Sequence, residues 1–108
     1  MMKDLIKIVN DATAMEGRDA QRVHGDLHSK NEGYGVLAEE WEEVMEKIHI
    51  IEHYVSSLVR VIRCNLRELD GDLVKIKHAA QLAACESIQV AAVAQRFIDF
   101  VHREDDAG

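Results

Sequence analysis

The sequence predicts an all-α protein: a helical bundle of three to four helices, two of them long, that oligomerises into a larger bundle. Proline is absent and only six glycines occur among the 108 residues, so the chain lacks the turn residues that many short strands need. Hydrophobic residues make up 47% and charged residues 31%, which is typical of one globular domain spanning residues 1–108. Apolar residues also recur at helical spacing along three segments.

The helix boundaries follow from this spacing and from the residues between the periodic segments. Glycines in HGDLHSKNEGYG indicate a loop before the second helix, and Ser29 followed by Glu32 fits a capping box. We expect Asp70 and Gly71 to end the second helix and Asp72 to cap the third. The second helix could be one helix or two. The predicted helices cover residues 3–23, 31–69 and 73–102, ahead of an acidic tail at 103–108 that we expect to fray.

Charge and cysteine content exclude several classes of function. Lys and Arg number 13 against 20 Asp and Glu, for a net charge of −7, which disfavours binding to a nucleic-acid polymer. Cys64 and Cys85 lack metal-like spacing, and we interpret them as small buried residues in a reducing compartment. The N-terminal residues lack a signal-peptide core, and no apolar run is long enough to span a membrane. We therefore expect a cytoplasmic protein without a membrane partner.

Helical projection places two glutamates of the second segment on the flank of its apolar stripe. Glu40 and Glu43 lie about 60° apart on this flank, and Lys47 follows one turn later. The flank is itself half apolar, so the helix needs more partners than one small chain supplies. We therefore expect a homodimer or a homotetramer. The apolar stripe consists of Leu37, Trp41, Val44, Ile48, Ile51, Val55, Leu58, Ile62 and Leu66.

The third segment carries a glutamate in the middle of its apolar stripe. Glu86 projects between Ala79, Leu82, Ala83, Val90, Val93, Phe97 and Phe100. Three inward carboxylates repel one another unless a cation lies between them, and hard oxygen ligands suit Mg²⁺ or Mn²⁺. Alternatively, Glu40 and Glu43 are rim residues paired with Lys47, and Arg96 neutralises Glu86.

Two stretches carry a resemblance to a known family. The segment HSKNEGYGVLAEEWEEVMEKI at residues 28–48 resembles the MazG-like all-α nucleoside triphosphate pyrophosphohydrolases, especially their short phage- and Firmicutes-like members. In these a His-Ser loop leads into an E-E-x-x-E helix, matched here by Glu39, Glu40 and Glu43. The segment ESIQVAAVAQRF at residues 86–97 resembles the second metal helix of the family. The two segments cover about a third of the chain.

The resemblance implies an oligomeric bundle that cleaves a (d)NTP to the (d)NMP and pyrophosphate, as in house-cleaning of the nucleotide pool. It implies Mg²⁺ or Mn²⁺ as cofactor, with Glu39 as an outer ligand or as a base that orients water. The candidate phosphate-binding or base-binding residues are Lys47, Arg96 and His28, each of which could instead have an ordinary surface or salt-bridge role. The metal ligands that the resemblance implies are Glu40, Glu43, Glu86 and Gln89.

The sequence departs from the family pattern in two ways. Gln89 stands where the family has Asp, so a neutral amide replaces one anionic ligand, which weakens metal binding by about 10- to 100-fold if it acts as a supporting ligand. The spacing between Glu43 and Glu86 is also longer than usual. An alternative function is therefore a catalytically inactive MazG-like module for dimerisation or partner binding. A di-iron bundle is not favoured, because only Glu46 and His49 form a Glu-x-x-His pair.

Overall fold

The computed structural model describes residues 1–107, and within that range it contains three α-helices and no strand. Helix α1 spans Met2–His24, α2 spans Lys30–Arg63 and α3 spans Leu69–Ala107. The predicted all-α class is confirmed, and α2 is one helix rather than two. In the described part of the chain, no helix is both long enough and apolar enough to cross a membrane.

The connection from α1 to α2 follows the predicted turn chemistry. Gly25 ends α1 with a φ of 73°, a conformation that favours glycine, and its N–H donates to the carbonyl oxygen of Gln21 at 2.8 Å. The Glu32 N–H then donates to the Ser29 hydroxyl at 3.0 Å. This contact confirms the Ser29 half of the predicted capping box, while the Glu32 carboxylate accepts from the His28 N–H at 3.4 Å rather than from Ser29. The short loop is fixed by Leu27, whose side chain is buried.

The connection from α2 to α3 differs from the prediction. Helix α2 ends at Arg63 rather than near residue 69, and α3 begins at Leu69 rather than at residue 73. The expected helix end at Asp70 and Gly71 and the expected cap at Asp72 are wrong, because all three residues lie inside the first turns of α3. Asp72 is buried, and its N–H donates to the Glu68 carbonyl oxygen at 2.8 Å.

The turn forms at Asn65, which has a φ of 51°. Its N–H donates to the Ile62 carbonyl oxygen at 3.2 Å, and the Leu66 N–H donates to the Val61 carbonyl oxygen at 3.0 Å. This pair of hydrogen bonds is a Schellman motif, which uses a left-handed residue just beyond the helix end. Asparagine adopts that conformation more readily than most residues, so it ends α2 before Gly71 is reached.

Two smaller expectations are also corrected. Helix α3 continues through residues 103–107, which were expected to fray; Gly108 lies outside the described residues. Cys64 and Cys85 are free, as predicted, but both are exposed rather than buried. Cys64 lies in the turn just after α2, and Cys85 lies on a part of α3 that faces solvent.

Packing divides the chain into two compact units. The first unit comprises Met1–Trp41 and the segment from Ser87 onward, with buried side chains at Leu27, Ala92, Val93 and Phe100. The second unit is Glu42–Glu86, in which α2 and α3 run antiparallel around Val44, Val61 and Ala79.

The packed face of α2 lies on the flank of the predicted apolar stripe rather than at its centre. Val44 is 4% exposed and Val61 on the flank is 2% exposed, whereas Val55 and Ile62 of the stripe are 49% and 60% exposed. In α3 the predicted stripe is packed throughout, and Glu86 lies half-buried within it. The flank of α2 that carries Glu43 is therefore the one that faces α3 in the second unit.

Candidate metal centre

Glu43 and Glu86 meet across α2 and α3 in the second unit. A hydrogen bond links their carboxyl groups and raises the pKa of Glu43. Glu40 lies one turn before Glu43 on the same uninterrupted helix and adds a third carboxylate. One oxygen from each of Glu40, Glu43 and Glu86 lies within 4.8 Å of the other two. The structure thus brings together the three glutamates that helical projection turned inward, but Glu43 is exposed, whereas Glu40 and Glu86 are half-buried.

The electrostatics of this acidic group favour a bound positive charge. The pKa of Glu43 is raised above its usual 4.5, mainly by the hydrogen bond with Glu86 and next by the negative charge of Glu86. Desolvation and the charge of Glu46 make smaller contributions. The charge of Lys47 acts in the opposite direction but does not cancel the rise. Two carboxylates this close cannot both ionise without cost unless a cation joins them.

The donor set fits a hard divalent cation. In the described part of the chain, neither Glu43 nor Glu86 has a Lys or Arg nitrogen within 4.0 Å. Arg96 does not neutralise Glu86, because its guanidinium donates to the Gly25 carbonyl oxygen instead. Carboxylate oxygens are the preferred ligands of Mg²⁺ and Mn²⁺, and three of them lie close enough here to bind one ion.

Gln89, the fourth predicted ligand, has a partner that the sequence did not indicate. Its amide nitrogen donates to the Glu16 carboxylate at 2.8 Å in the first unit. This hydrogen bond leaves the amide carbonyl oxygen of Gln89 as its metal-binding atom, so its role as a ligand stays a prediction. Glu16 thus supplies an anionic group beside Gln89.

Glu39 and His28 lie outside the acidic group. Glu39 is exposed on α2 and is not among the three clustered carboxylates. The imidazole Nδ1 of His28 lies 3.3 Å from the Glu32 carboxylate at the start of α2, and its side chain is exposed. Their roles as base and as substrate contact stay predictions.

Lys47 lies beside the acidic group, in the second unit. It follows Glu43 by one turn, is 21% exposed, and approaches a carboxylate of Glu46 only at 4.0 Å. It lines a cavity of about 610 Å³ whose wall also contains Leu82, one turn before Glu86. The cavity therefore lies along the same α2–α3 face as the Glu43–Glu86 pair.

The other walls of this cavity were missed by sequence reasoning. Lys75 lies over the Tyr54 ring, with its ammonium 5.1 Å from the ring centroid, and the His53 ring packs edge-on against the same ring at 5.0 Å. His49 and His78 complete a lining that contains no carboxylate. The signal was present in the helical spacing of Lys75, His78 and Leu82, but only antiparallel pairing brings these residues opposite Lys47 and Tyr54.

Comparisons of this chain with family models, with curated proteins and with solved structures find no match.

Proposed function

We propose that this protein is a metal-dependent nucleoside triphosphate pyrophosphohydrolase that cleaves a (d)NTP to the (d)NMP and pyrophosphate. The observation that carries the proposal is the Glu43–Glu86 carboxyl pair, joined by Glu40 within 4.8 Å. The resemblance of residues 28–48 and 86–97 to MazG-like enzymes points to the same carboxylates, and a role in nucleotide house-cleaning follows from that resemblance alone.

Each residue of the site would have a distinct task. Glu40, Glu43 and Glu86 would hold Mg²⁺ or Mn²⁺, and Gln89 could add a neutral oxygen. When bound, the metal would offset the charge of the triphosphate and lower the pKa of the attacking water. Glu39 would accept the proton of that water. The water would attack the α phosphorus, and the bond from that phosphorus to the α–β bridging oxygen would break. Pyrophosphate would leave with the bridging oxygen, and the monophosphate would carry the oxygen of the water.

The cavity in the second unit supports a nucleotide substrate. Lys47 and Lys75 place two ammonium groups on its wall, which suits an anionic phosphate chain beside the acidic group. The Tyr54 ring offers a flat apolar surface of the kind on which nucleobases stack. Arg96 lies in the first unit, and its contact with substrate remains a proposal, as does that of His28.

We also propose that the working form is a homodimer or a homotetramer. Large apolar side chains on α1 and α2 are exposed in the single chain, among them Leu5, Ile8, Val55 and Ile62. Large apolar side chains left exposed at helical spacing are typical of an interaction surface, and a second copy of the chain offers a matching surface.

The test is pyrophosphate release from a panel of NTPs and dNTPs with Mg²⁺ or Mn²⁺. We expect turnover that chelation abolishes and that Glu43→Gln lowers by about 100-fold or more, because a charged ligand is lost. Glu42→Gln is the matched control, since Glu42 is the exposed neighbour of Glu43 and lies outside the acidic group. We expect it to retain the wild-type rate.

The alternative is a MazG-like module for dimerisation or partner binding that lacks catalysis. The hydrogen bond from the Gln89 amide nitrogen to Glu16 favours this alternative, because it engages the side chain of a predicted metal ligand. Absence of turnover with every nucleotide, from a folded and metal-loaded oligomer, would contradict the enzyme proposal and support the module. Equal losses in Glu42→Gln and Glu43→Gln would show that the acidic group is not the catalytic site.

A further inference from the structure

A second cavity, of about 740 Å³, lies in the first unit between α1 and the later part of α3. Short side chains keep it open: Ala14 and Gly17 on α1 face Ala92 on α3. A Cβ atom built on Gly17 meets nothing within 4 Å. The volume is sufficient for a ligand of nucleotide size and exceeds what a single water or ion needs.

The walls of this cavity concentrate positive charge in an acidic protein. Arg18, Arg22, Arg96 and Arg103 line it, and they are four of the seven arginines in a chain whose net charge is −7. Among the described residues, three carboxylates lie on the cavity wall or within 4.0 Å of one of these arginines. Asp99 lies on the wall, while Asp19 is 3.6 Å from Arg22 and Asp26 is 3.8 Å from Arg103.

Arg96 and Arg18 have no carboxylate partner among the described residues. One terminal nitrogen of Arg96 donates to the Gly25 carbonyl oxygen at 2.9 Å, but its Nε is buried and has no hydrogen-bond acceptor. A buried donor on a cation is costly to leave unsatisfied. An anion in the cavity would satisfy the donor and compensate the charge.

We propose that this arginine-lined cavity binds a small molecule carrying a diphosphate or triphosphate group. One guanidinium group can donate two parallel hydrogen bonds to phosphate oxygens. Four guanidinium groups are more than a ligand with a single carboxylate would engage. This proposal assigns Arg96 to the arginine-lined cavity rather than to the substrate of the proposed enzyme site. It does not need the acidic group of Glu40, Glu43 and Glu86, because the positive charge here comes from the chain itself and no divalent cation is required.

The test is isothermal titration calorimetry in EDTA and low salt, with inorganic phosphate, inorganic pyrophosphate and ADP as separate probes. We expect pyrophosphate and ADP to bind and phosphate to bind at least about tenfold more weakly. Affinity for ADP well above that for pyrophosphate would identify a nucleotide as the ligand, and equal affinities would identify the diphosphate group itself. Both outcomes support the proposal.

The variants separate specific binding from general charge effects. Arg96→Gln and Arg18→Gln should each weaken pyrophosphate binding by about tenfold or more. Arg67→Gln makes the same change of charge at an exposed position outside the cavity and should bind as the wild type does. Gly17→Leu fills the cavity without a change of charge, and should abolish binding while the circular dichroism spectrum is retained.

Absence of binding by pyrophosphate and ADP at millimolar concentration would overturn the proposal. So would an equal loss in Arg67→Gln and Arg96→Gln, since binding would then reflect net charge alone. Because these titrations contain EDTA, they are silent on metal-dependent hydrolysis. A failure here is therefore distinguishable from a failure of the proposed enzyme activity.

Discussion

Among single residues, the carboxyl pair of Glu43 and Glu86 has opposite consequences for folding and for ligand binding. The raised pKa of Glu43 means that the folded protein binds this proton more tightly than the unfolded chain does. Stability from this group is therefore present at low pH and is lost as the pH rises through the raised pKa. Above the raised pKa, where both carboxyls are ionised, the pair opposes folding, and a bound cation would relieve that repulsion.

We accordingly expect Glu43→Gln to unfold at a higher temperature than the wild type in EDTA at about pH 8, because the amide removes the repulsion and can still donate to Glu86. The difference should shrink towards zero at about pH 4, where glutamates are largely protonated in both states. Thermal unfolding followed by circular dichroism at both pH values checks this. An equal rise in unfolding temperature at both pH values would contradict the electrostatic cause. Glu42→Gln is the control, and we expect it to show no such dependence on pH.

A second prediction concerns the close approach of α2 to α3 at Gly33 in the first unit. A Cβ atom on Gly33 would lie 2.9 Å from two carbon atoms of the Phe97 ring, whereas one on Gly35 would meet nothing within 4 Å. Alanine is worth up to about 1 kcal/mol over glycine in a helix, but overpacking costs about 1–3 kcal/mol. Urea denaturation should therefore show that Gly33→Ala destabilises and Gly35→Ala stabilises the fold. Stabilisation by both would show that the ring moves aside freely.

Individual site residues were predictable where one helix alone determines their direction. Glu40, Glu43 and Glu86 were identified because helical periodicity places them on inner faces, and the structure brings them within 4.8 Å. The partner of Gln89 was not predictable, because Glu16 lies on α1 and only the packing of α1 on α3 joins them. The same holds for the cavity walls, which combine residues from two helices.

At the scale of the helices, the sequence predicted their number and type but misplaced one turn. Glycine is the commonest residue at a left-handed helix end, so the sequence favours Gly71 as the end of α2. In the structure α2 ends earlier, because the Schellman motif at Asn65 satisfies the carbonyl groups of its last turn. Gly71 then lies within α3, where no special backbone conformation is required of it.

This motif gives a prediction for Asn65. Replacement by glycine should stabilise the protein by about 0.5–1 kcal/mol, since glycine adopts positive φ without a Cβ penalty, whereas Asn65→Ala should destabilise it by about 1 kcal/mol. Equilibrium unfolding in urea measures both changes. As a comparison, Gly71→Ala should be neutral or stabilising, because its Cβ would meet nothing within 4 Å. An Asn65→Gly variant less stable than the wild type would contradict the assigned turn.

At the scale of the whole molecule, the exposed surface is large for a chain of this mass. The accessible area is 8132 Å² for 12.2 kDa, against about 6,000 Å² for a typical monomer of this size. No side chain is fully buried among the larger residues described, and α1 contains no buried residue. The excess of about 2,000 Å² is comparable to the area that a subunit loses in a stable homo-oligomer.

The sequence predicts an oligomer, but it does not predict which surface of α2 is left exposed for one. Projection treated the apolar stripe of α2 as the core and its half-polar flank as secondary. In the second unit the packed face is shifted towards the flank, so that Val61 and Tyr54 are packed along with Val44 of the stripe. Ile48, Val55 and Ile62 are left exposed at seven-residue intervals, which is the spacing of a seam between paired helices.

We therefore expect light scattering to give at least twice the 12.2 kDa chain mass, and Val55→Asp to lower it to that of the single chain. A charge in the middle of an apolar seam is left unpaired and desolvated on association, which costs several kcal/mol. Ser56→Asp adds the same charge at the exposed neighbouring position, away from the seam, and should remain associated. A monomeric wild type at micromolar concentration would contradict the proposed assembly. A Val55→Asp variant that stays associated would place the interface elsewhere, with α1 and its exposed Leu5 and Ile8 as the next surface to mutate.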